Sequence, residues 1–321
     1  MNDLETFSHH QAQRLLMGIG AVLLGTVLCA CLTAPPLYHL FSWLARYLTA
    51  SRHLQELEFG RVVTRAFLVY LIVFSVIAVR RVHHLTWSAL GLPRMAHWRK
   101  ALVRGSIWGV VTLGALLLWA LVGGGMEWAP PVWTRWVPRL ITYAVGAVLI
   151  GFIEEIFFRG ALFGMSRRLM PWFWAALWTS LFFSFVHFIS PRFPEEAVTV
   201  DAWSGFRILP HLVNTAREPE FYWPLSLNLF LIGMVLCTWY QREGHCWTVI
   251  GVHAGWVWCL RMGRLLMDRN PEAMTWWWGS SSHIGRSGLA TVMLVAVWVW
   301  IYTRPASLAP EEGRKHGQEP D

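Results

Sequence analysis

Residues 151–160 read Gly-Phe-Ile-Glu-Glu-Ile-Phe-Phe-Arg-Gly, and they place two adjacent carboxylates and an arginine inside a long apolar run. The run extends from about 139 to 166, and a membrane-spanning helix needs about 20 mostly apolar residues. Ionisable side chains inside such a helix are expensive to bury and by default mark function. The stretch therefore predicts a transmembrane helix that carries a polar site.

The composition of the whole chain supports a membrane protein. Of the 321 residues, 55% are hydrophobic, 14% are charged and 22 are Trp, and the mean hydropathy is +0.41. A soluble domain carries about 25% charged residues, so this chain has too few to cover a water-facing surface. The net charge of +8 comes from basic residues at the ends of apolar segments, where they anchor helices. They form no clustered stripe, so no nucleic-acid partner is expected.

The apolar runs predict an all-α, polytopic transmembrane helix bundle with about eight spanning helices. The segment 37–48 follows Pro35-Pro36 and is interpreted as a shorter interfacial or re-entrant piece. The predicted spans are about 15–34, 62–79, 103–122, 139–166, 172–190, 224–240, 246–266 and 287–303.

The charges in the connecting segments predict the orientation. Basic residues follow the second, fourth and sixth spans, whereas residues 191–223 are mixed to acidic. Under the positive-inside rule, both termini are cytoplasmic and 191–223 is an extramembrane insertion on the outer side. We expect one transmembrane domain over 1–304 and a disordered cytoplasmic tail over 305–321. No internal repeat of the kind found in secondary transporters is visible.

Within the opening stretch, the two glutamates differ in their helical neighbours. Glu155 and Arg159 are four residues apart, so a helix stacks them on one face as an ion pair. Glu154 points about 100° away around a helix of 3.6 residues per turn and lacks that partner. An unpaired carboxylate in an apolar bundle suits a general base. The alternative is that the pair only neutralises Arg159 for packing.

Two histidines lie in other predicted spans. His187 is surrounded by aromatic residues, and His253 lies in Gly-Val-His-Ala-Gly, whose small residues allow close helix approach. Either histidine alone is as easily explained as a hydrogen-bonded core residue. Together with the glutamates and Arg159, however, they can converge from three helices at similar depth. A base, a second proton-handling group and an oxyanion donor are the requirements of water-mediated amide hydrolysis.

These residues resemble the CPBP family, the CAAX-protease and bacteriocin-processing family of intramembrane endopeptidases. The family pattern E-E-x-x-x-R, then F-x-x-x-H, then a third histidine motif is matched by Glu154-Glu155-x-x-x-Arg159, by Phe183-x-x-x-His187 and by His253. The resemblance covers about 139–267, and Ala89-Leu90-Gly91-Leu92 is similar to the family's usual approach to its third helix.

The resemblance implies a role for each matching residue. Glu154 and His187 would activate water, His253 would help to stabilise the oxyanion, and Glu155 and Arg159 would hold the motif helix in shape. Phe183, from the second motif, is assigned to substrate binding.

The chain departs from the family four residues after His253. Val257 stands where the family usually has Asn or Asp, and valine donates no hydrogen bond. Asn228, also assigned to substrate binding, is our hypothesis for a replacement donor. No metal or other cofactor is expected. Zinc, considered because two histidines and a glutamate suit it, is disfavoured because no H-E-x-x-H spacing occurs.

The resemblance and the residues together predict an intramembrane endopeptidase of a multi-pass membrane protein, in a bacterial inner (plasma) membrane. The expected partners are the bilayer and a membrane-associated, lipidated or sorting-signal protein substrate. Residues 191–223 either form a lid or substrate reader or are a plain connector. The alternative functions are a proton-coupled transporter, since buried Glu and His also build proton relays, and a non-catalytic membrane chaperone or immunity protein of the same fold.

Overall fold

The computed structural model of the protein describes residues 9–47, 58–78, 86–129, 133–188, 199–211, 219–273, 277–278 and 284–304. The helices are α1 (His9–Tyr47), α2 (Phe59–Ile77), α3 (Trp98–Val122), α4 (Trp133–Glu155), α5 (Gly164–Leu169), α6 (Trp172–Val186), α7 (Ser204–Arg207), α8 (Pro219–Glu243), α9 (Cys246–Leu266) and α10 (Gly288–Thr303). A π-helical segment, Ile156–Phe163, joins α4 to α5, and two short strands, β1 (Met126–Trp128) and β2 (Met267–Arg269), follow α3 and α9. Single 3₁₀ turns occur at Leu209–His211, Pro271–Ala273 and Ile284–Arg286.

The all-α membrane bundle predicted from composition is confirmed. Within the described residues, four helices are long and apolar enough to cross a membrane: Met17–Ala45, Trp98–Val122, Val137–Leu169 and Trp223–Glu243. Trp172–Val186 and Gly288–Thr303 are apolar but shorter. Helices occur at all eight predicted spans, while membrane crossing by α2, α6, α9 and α10 stays a prediction.

Glycine contacts bring α9 close to α3. A Cβ atom added to Gly105 or Gly109 of α3 would overlap backbone carbonyl oxygens of α9, and one added to Gly251 would overlap the Leu102 carbonyl oxygen of α3. Gly255 packs in the same way, because its Cβ would lie 2.9 Å from the Gly109 Cα. The close approach predicted from the small residues around His253 is therefore confirmed, and the two backbones touch without intervening side chains.

On its other side, α9 packs against α4. A Cβ added to Gly151 would lie 3.0 Å from the Ile250 carbonyl oxygen, while Trp258 Nε1 donates to the Leu140 carbonyl oxygen at 3.4 Å. Residues later in α9 thus meet residues earlier in α4, which makes the two helices antiparallel. In contrast, α3 and α9 are parallel, and their C-terminal ends are joined by the antiparallel β1–β2 pair with Glu127 opposite Asp268.

A second group of helices holds the histidine-bearing end of α6. The contacts of α6 with α8 include Ser184 Oγ donating to the Ser226 carbonyl oxygen at 2.8 Å and Gly233 packing on Ser180. In turn, α8 contacts α10, where Trp298 Nε1 donates to Thr238 Oγ1 at 2.9 Å. These contacts make α6 and α8 antiparallel, and they anchor α6 beside the motif helix.

The prediction of a separate interfacial piece at 37–48 is wrong, because α1 continues through Pro35 and Pro36 to Tyr47. A proline lacks the N–H that would bond the carbonyl four residues earlier, so Pro35 leaves the Cys31 carbonyl oxygen without its helical donor. Gly205 of the insertion packs directly on this carbonyl, where a Cβ would overlap it. Packing of a neighbouring segment over a proline site is the setting in which membrane helices tolerate proline.

The described part of the insertion, 199–211, is therefore docked on α1. His39 Nε2 donates to the Val200 carbonyl oxygen at 2.9 Å, and Asp201 accepts from Ser204 Oγ at 3.0 Å and from Arg207. Although burial raises the pKa of Asp201, the hydrogen bonds it accepts lower that pKa overall. The helix that follows begins at Pro219 rather than at 224. A lid role stays a prediction, and the predicted tail over 305–321 lies outside the described residues.

Candidate active site

The motif helix changes its winding at the two glutamates. Regular α4 ends at Glu155, and the next eight residues, Ile156–Phe163, are π-helical. Such wide turns are rare and occur frequently at functional sites. Gly160 within the segment packs on the backbone of Leu90, because a Cβ there would overlap the Leu90 carbonyl oxygen. The Ala89–Leu92 stretch noted in the sequence thus supports the motif helix directly.

Glu155 and Arg159 form the predicted ion pair, fully inside the bundle. Arg159 Nη1 lies 2.8 Å from Glu155 Oε1, and both side chains are 0% exposed. The guanidinium also lies over the Phe183 ring, 4.7 Å from its centroid. Removing one partner of a buried ion pair strongly destabilises a protein, because the other charge is left buried without compensation. The pair therefore fixes the helix that carries Glu154.

The same carboxylate also binds His253, which the sequence did not predict. His253 Nδ1 lies 2.6 Å from Glu155 Oε1, across 98 positions of sequence. A carboxylate only accepts, so Nδ1 carries the proton and Nε2 is turned into the site. Glu155 thus orients an imidazole in addition to pairing with Arg159. No local signal reveals this, because the bond depends on how α9 is rotated against α4.

Glu154 lies beside both histidines. Its Oε2 is 3.9 Å from His187 Nε2 and 3.8 Å from His253 Nε2, and its side chain is 28% exposed. Among the described residues, this oxygen is buried and has no hydrogen-bond partner. Glu155 is therefore hydrogen-bonded to Arg159, whereas Glu154 Oε2 has only the two longer contacts with the histidines. The different roles assigned to the two glutamates stay a prediction.

His187 is held at the end of α6 by its own helix. The helix ends at Val186, one residue before it, and His187 Nδ1 donates to the Phe183 carbonyl oxygen at 2.7 Å. Because a carbonyl can only accept, the neutral ring has its lone pair on Nε2, which faces Glu154. Three helices thus bring Glu154, His187 and His253 together, as the sequence predicted.

Phe183 does not occupy the position expected of a substrate contact. It is 1% exposed, and its ring stacks on His187 with centroids 4.4 Å apart and lies 6.3 Å from the His253 ring. Its carbonyl oxygen accepts a hydrogen bond from His187, and its ring packs against the imidazoles of both His187 and His253. These contacts favour a positioning role for Phe183, and its assignment to substrate binding stays a prediction.

Asn228 does not replace the donor that Val257 lacks. Its Nδ2 donates to the carbonyl oxygens of Gly285 at 2.9 Å and Ser287 at 3.1 Å, and its Oδ1 accepts from Thr291 at 2.7 Å. Both amide hydrogens are therefore used to anchor the start of α10, and none is left for an oxyanion. The replacement-donor hypothesis is wrong in this geometry, and Val257, half-buried one turn after His253, supplies none either.

The site contains three side chains of types that can bind a metal ion, Glu154, His187 and His253. The carboxylate oxygen and the two Nε2 atoms are 3.8 and 3.9 Å apart, and within the described ranges no group of three or more His, Cys, Asp or Glu side chains is arranged to hold a metal ion. Metal-independent chemistry stays a prediction.

Comparison with known proteins finds one family that matches the central segment of this chain. Residues 135–259 match the family described as type II CAAX prenyl endopeptidase Rce1-like, and this segment contains every residue of the candidate site. No curated protein and no solved structure matches the chain. The apolar helices and the match together indicate an integral membrane protein with a central segment similar to CAAX proteases. The match covers less than half of the chain, and over those residues it confirms the resemblance to the CPBP family.

Proposed function

We propose that the protein is an intramembrane endopeptidase that uses water activated by Glu154 and His187. The observation that carries the proposal is the convergence of three side chains from separate helices, with Glu154 Oε2 at 3.9 and 3.8 Å from two imidazole Nε2 atoms. The family match supports proteolysis in general. The residues that perform it are our assignment.

In the proposed first step, one water molecule donates its two hydrogens to Glu154 Oε2 and His187 Nε2. Both atoms are acceptors, and a separation of 3.9 Å is short enough for one water at about 2.8 Å from each. The lone pairs of the water then point away from both, toward the substrate carbonyl. As the oxygen attacks that carbon, its proton passes to Glu154, which acts as the general base.

The tetrahedral intermediate carries a negative oxygen that needs a donor. In its imidazolium form, His253 donates from Nδ1 to Glu155 and from Nε2 to this oxygen. In that form the cluster has no net charge, because the negative charges of Glu154 and Glu155 are equal in number to the positive charges of Arg159 and His253. Collapse breaks the carbon–nitrogen bond, and the proton held by Glu154 moves to the leaving amine.

The proposed substrate is a membrane-associated protein, either lipidated or bearing a C-terminal sorting signal. The Glu154 side chain is 28% exposed, against 0% for Glu155, so the surroundings of the site can be reached from outside the bundle even though Oε2 itself is buried. We place the enzyme in a bacterial plasma membrane with both termini cytoplasmic, as the connecting charges predict.

The test compares cleavage of a membrane-inserted reporter peptide by the purified full chain with cleavage by Glu154→Ala and His187→Ala. Both variants should lose activity, whereas Glu127→Ala, at an exposed glutamate of β1, should retain it. Full cleavage by Glu154→Ala would refute the assignment of Glu154 as the general base. Activity should persist in a strong chelator, and its loss there would favour the zinc alternative.

One observation favours a non-catalytic member of the same fold, namely Val257 beside His253. With Asn228 fully engaged, His253 is the one side-chain donor that we assign to the oxyanion among the described residues. If the wild-type chain binds membrane peptides but cleaves none, while remaining folded, this second function replaces the first.

A further inference from the structure

A basic groove lies on α3, away from the candidate active site. It has a volume of about 450 Å³ and is lined by Arg99, Lys100, Val103, Arg104, Ile107 and Trp108. No acidic residue lines it within the described part of the chain. Arg104 is already paired with Glu243 at 2.7 Å. Among the described residues, Arg99 and Lys100 have no acidic partner, and the Arg99 guanidinium lies 5.3 Å from the Trp98 ring centroid.

The placement of these cations contradicts the ordinary electrostatics of a helix. α3 begins at Trp98, so Arg99 and Lys100 lie in its first turn, where the helix dipole is positive and acidic residues are preferred. The first turn contains no acidic residue, and His97 at the cap makes no side-chain cap bond. Basic residues at this position anchor the end of a membrane helix, and an anionic group in contact with them would supply the negative charge that the first turn lacks.

The groove continues from the cations onto an apolar surface. Val103 and Ile107 are 56% and 58% exposed, and Val111 on the next turn is 55% exposed. This stripe belongs to Trp98–Val122, a helix apolar enough to cross a membrane. A bilayer crossed by this helix would place the cations at headgroup level and the stripe beside the acyl chains.

Trp108 forms the inner wall of the groove and connects it to another cation. Its ring is 4.7 Å from that of Trp300, and the Arg304 guanidinium lies 3.6 Å from the Trp300 centroid. Arg304 is held near the end of α10 because Arg242 donates to its carbonyl oxygen at 2.6 Å. Aromatic rings beside cations at this depth match the membrane interface.

We propose that this groove binds an anionic phospholipid, with the phosphate at Arg99 and Lys100 and an acyl chain along Val103 and Ile107. Basic pockets at the ends of transmembrane helices suit acidic lipid headgroups. A soluble anion would satisfy the cations but leave the apolar stripe uncovered, so the lipid is the better match. This inference is independent of proteolysis.

The test measures binding of dioleoyl phosphatidylglycerol to the full chain in neutral detergent, by native mass spectrometry and lipid-dependent thermal shift. The variant Arg99→Gln/Lys100→Gln should bind roughly 30-fold more weakly, because each basic residue near a lipid surface contributes about 1 kcal/mol. The matched control Arg65→Gln/Arg139→Gln removes two exposed arginines from α2 and α4, and it should bind like wild type.

Three further measurements distinguish a lipid from a free anion and show whether weaker binding reflects the groove rather than misfolding. Dioleoyl phosphatidylcholine and inorganic phosphate should give much smaller shifts than phosphatidylglycerol. Ile107→Trp keeps every cation, fills the apolar part of the groove and should also weaken binding. Equal binding of phosphatidylcholine, an equal shift with phosphate, or unchanged affinity in both groove variants overturns the proposal.

Discussion

Substituting Gly109 by alanine should disturb the helix contact that positions His253. The added Cβ would overlap the Val252 carbonyl oxygen and lie 3.0 Å from the Gly255 Cα. All of these atoms are backbone, so no side chain can move aside. Carbon atoms pack best at about 3.5–4.0 Å, so α3 and α9 must separate by about 0.5–1 Å. Overpacking of this kind costs about 1–3 kcal/mol.

Gly114→Ala is the matched control on the same helix, because its Cβ would meet only the Cys259 sulfur, at 3.9 Å. Both substitutions gain the same helix propensity of about 1 kcal/mol, so the difference between them isolates packing. We expect Gly109→Ala to melt at a lower temperature than Gly114→Ala in a thermal unfolding assay in detergent. It should also lose peptide cleavage, because misplacement by about 1 Å can reduce catalysis by roughly 100-fold. Equal melting temperatures for the two variants would refute the backbone-contact argument.

Three other predictions concern charge and hydrogen bonding. Glu155→Gln should lower stability by about 3–5 kcal/mol in chemical or thermal unfolding, since it strands the buried Arg159; unchanged stability would contradict the scaffold role. Val257→Asn should raise the cleavage rate by up to roughly 100-fold if it supplies a second oxyanion donor, and a rate no faster than wild type would mean that another group already does so. Burial lowers the pKa of His245, which lies between α8 and α9. Its neutral form is therefore favoured in the fold, and stability should fall as pH drops below about 6.5, whereas His245→Gln should flatten that dependence of the melting temperature.

Apolar runs located the helices correctly, because length and composition are local properties. The failure at Pro35 and Pro36 has a physical cause. Whether proline ends a membrane helix depends on what covers the carbonyl it leaves without a donor. Here the Cys31 carbonyl oxygen is covered by Gly205. Gly205 is distant in sequence, so no local sequence pattern predicts this contact.

The part of the candidate site that depends only on spacing along one helix could be predicted from the sequence. Spacing along one helix separates Glu155, which faces Arg159, from Glu154, which does not. The rotation of α9 about its own axis is set by glycine contacts with α3. The hydrogen bond between Glu155 and His253 depends on that rotation and therefore could not be predicted from the sequence. Asn228 was misassigned for the same reason, since its partners lie on a segment that the sequence does not place.

The central claim is that the adjacent glutamates have different tasks, with Glu154 acting on water and Glu155 holding the structure. The most direct test is the cleavage rate of Glu154→Gln toward a membrane-inserted reporter peptide, measured with its melting temperature. We predict a wild-type melting temperature, because Glu154 Oε2 has no hydrogen-bond partner among the described residues. We also predict a rate about 100-fold to 10,000-fold lower, as expected on loss of a general base. A rate within a few-fold of wild type in this folded variant would contradict the claim.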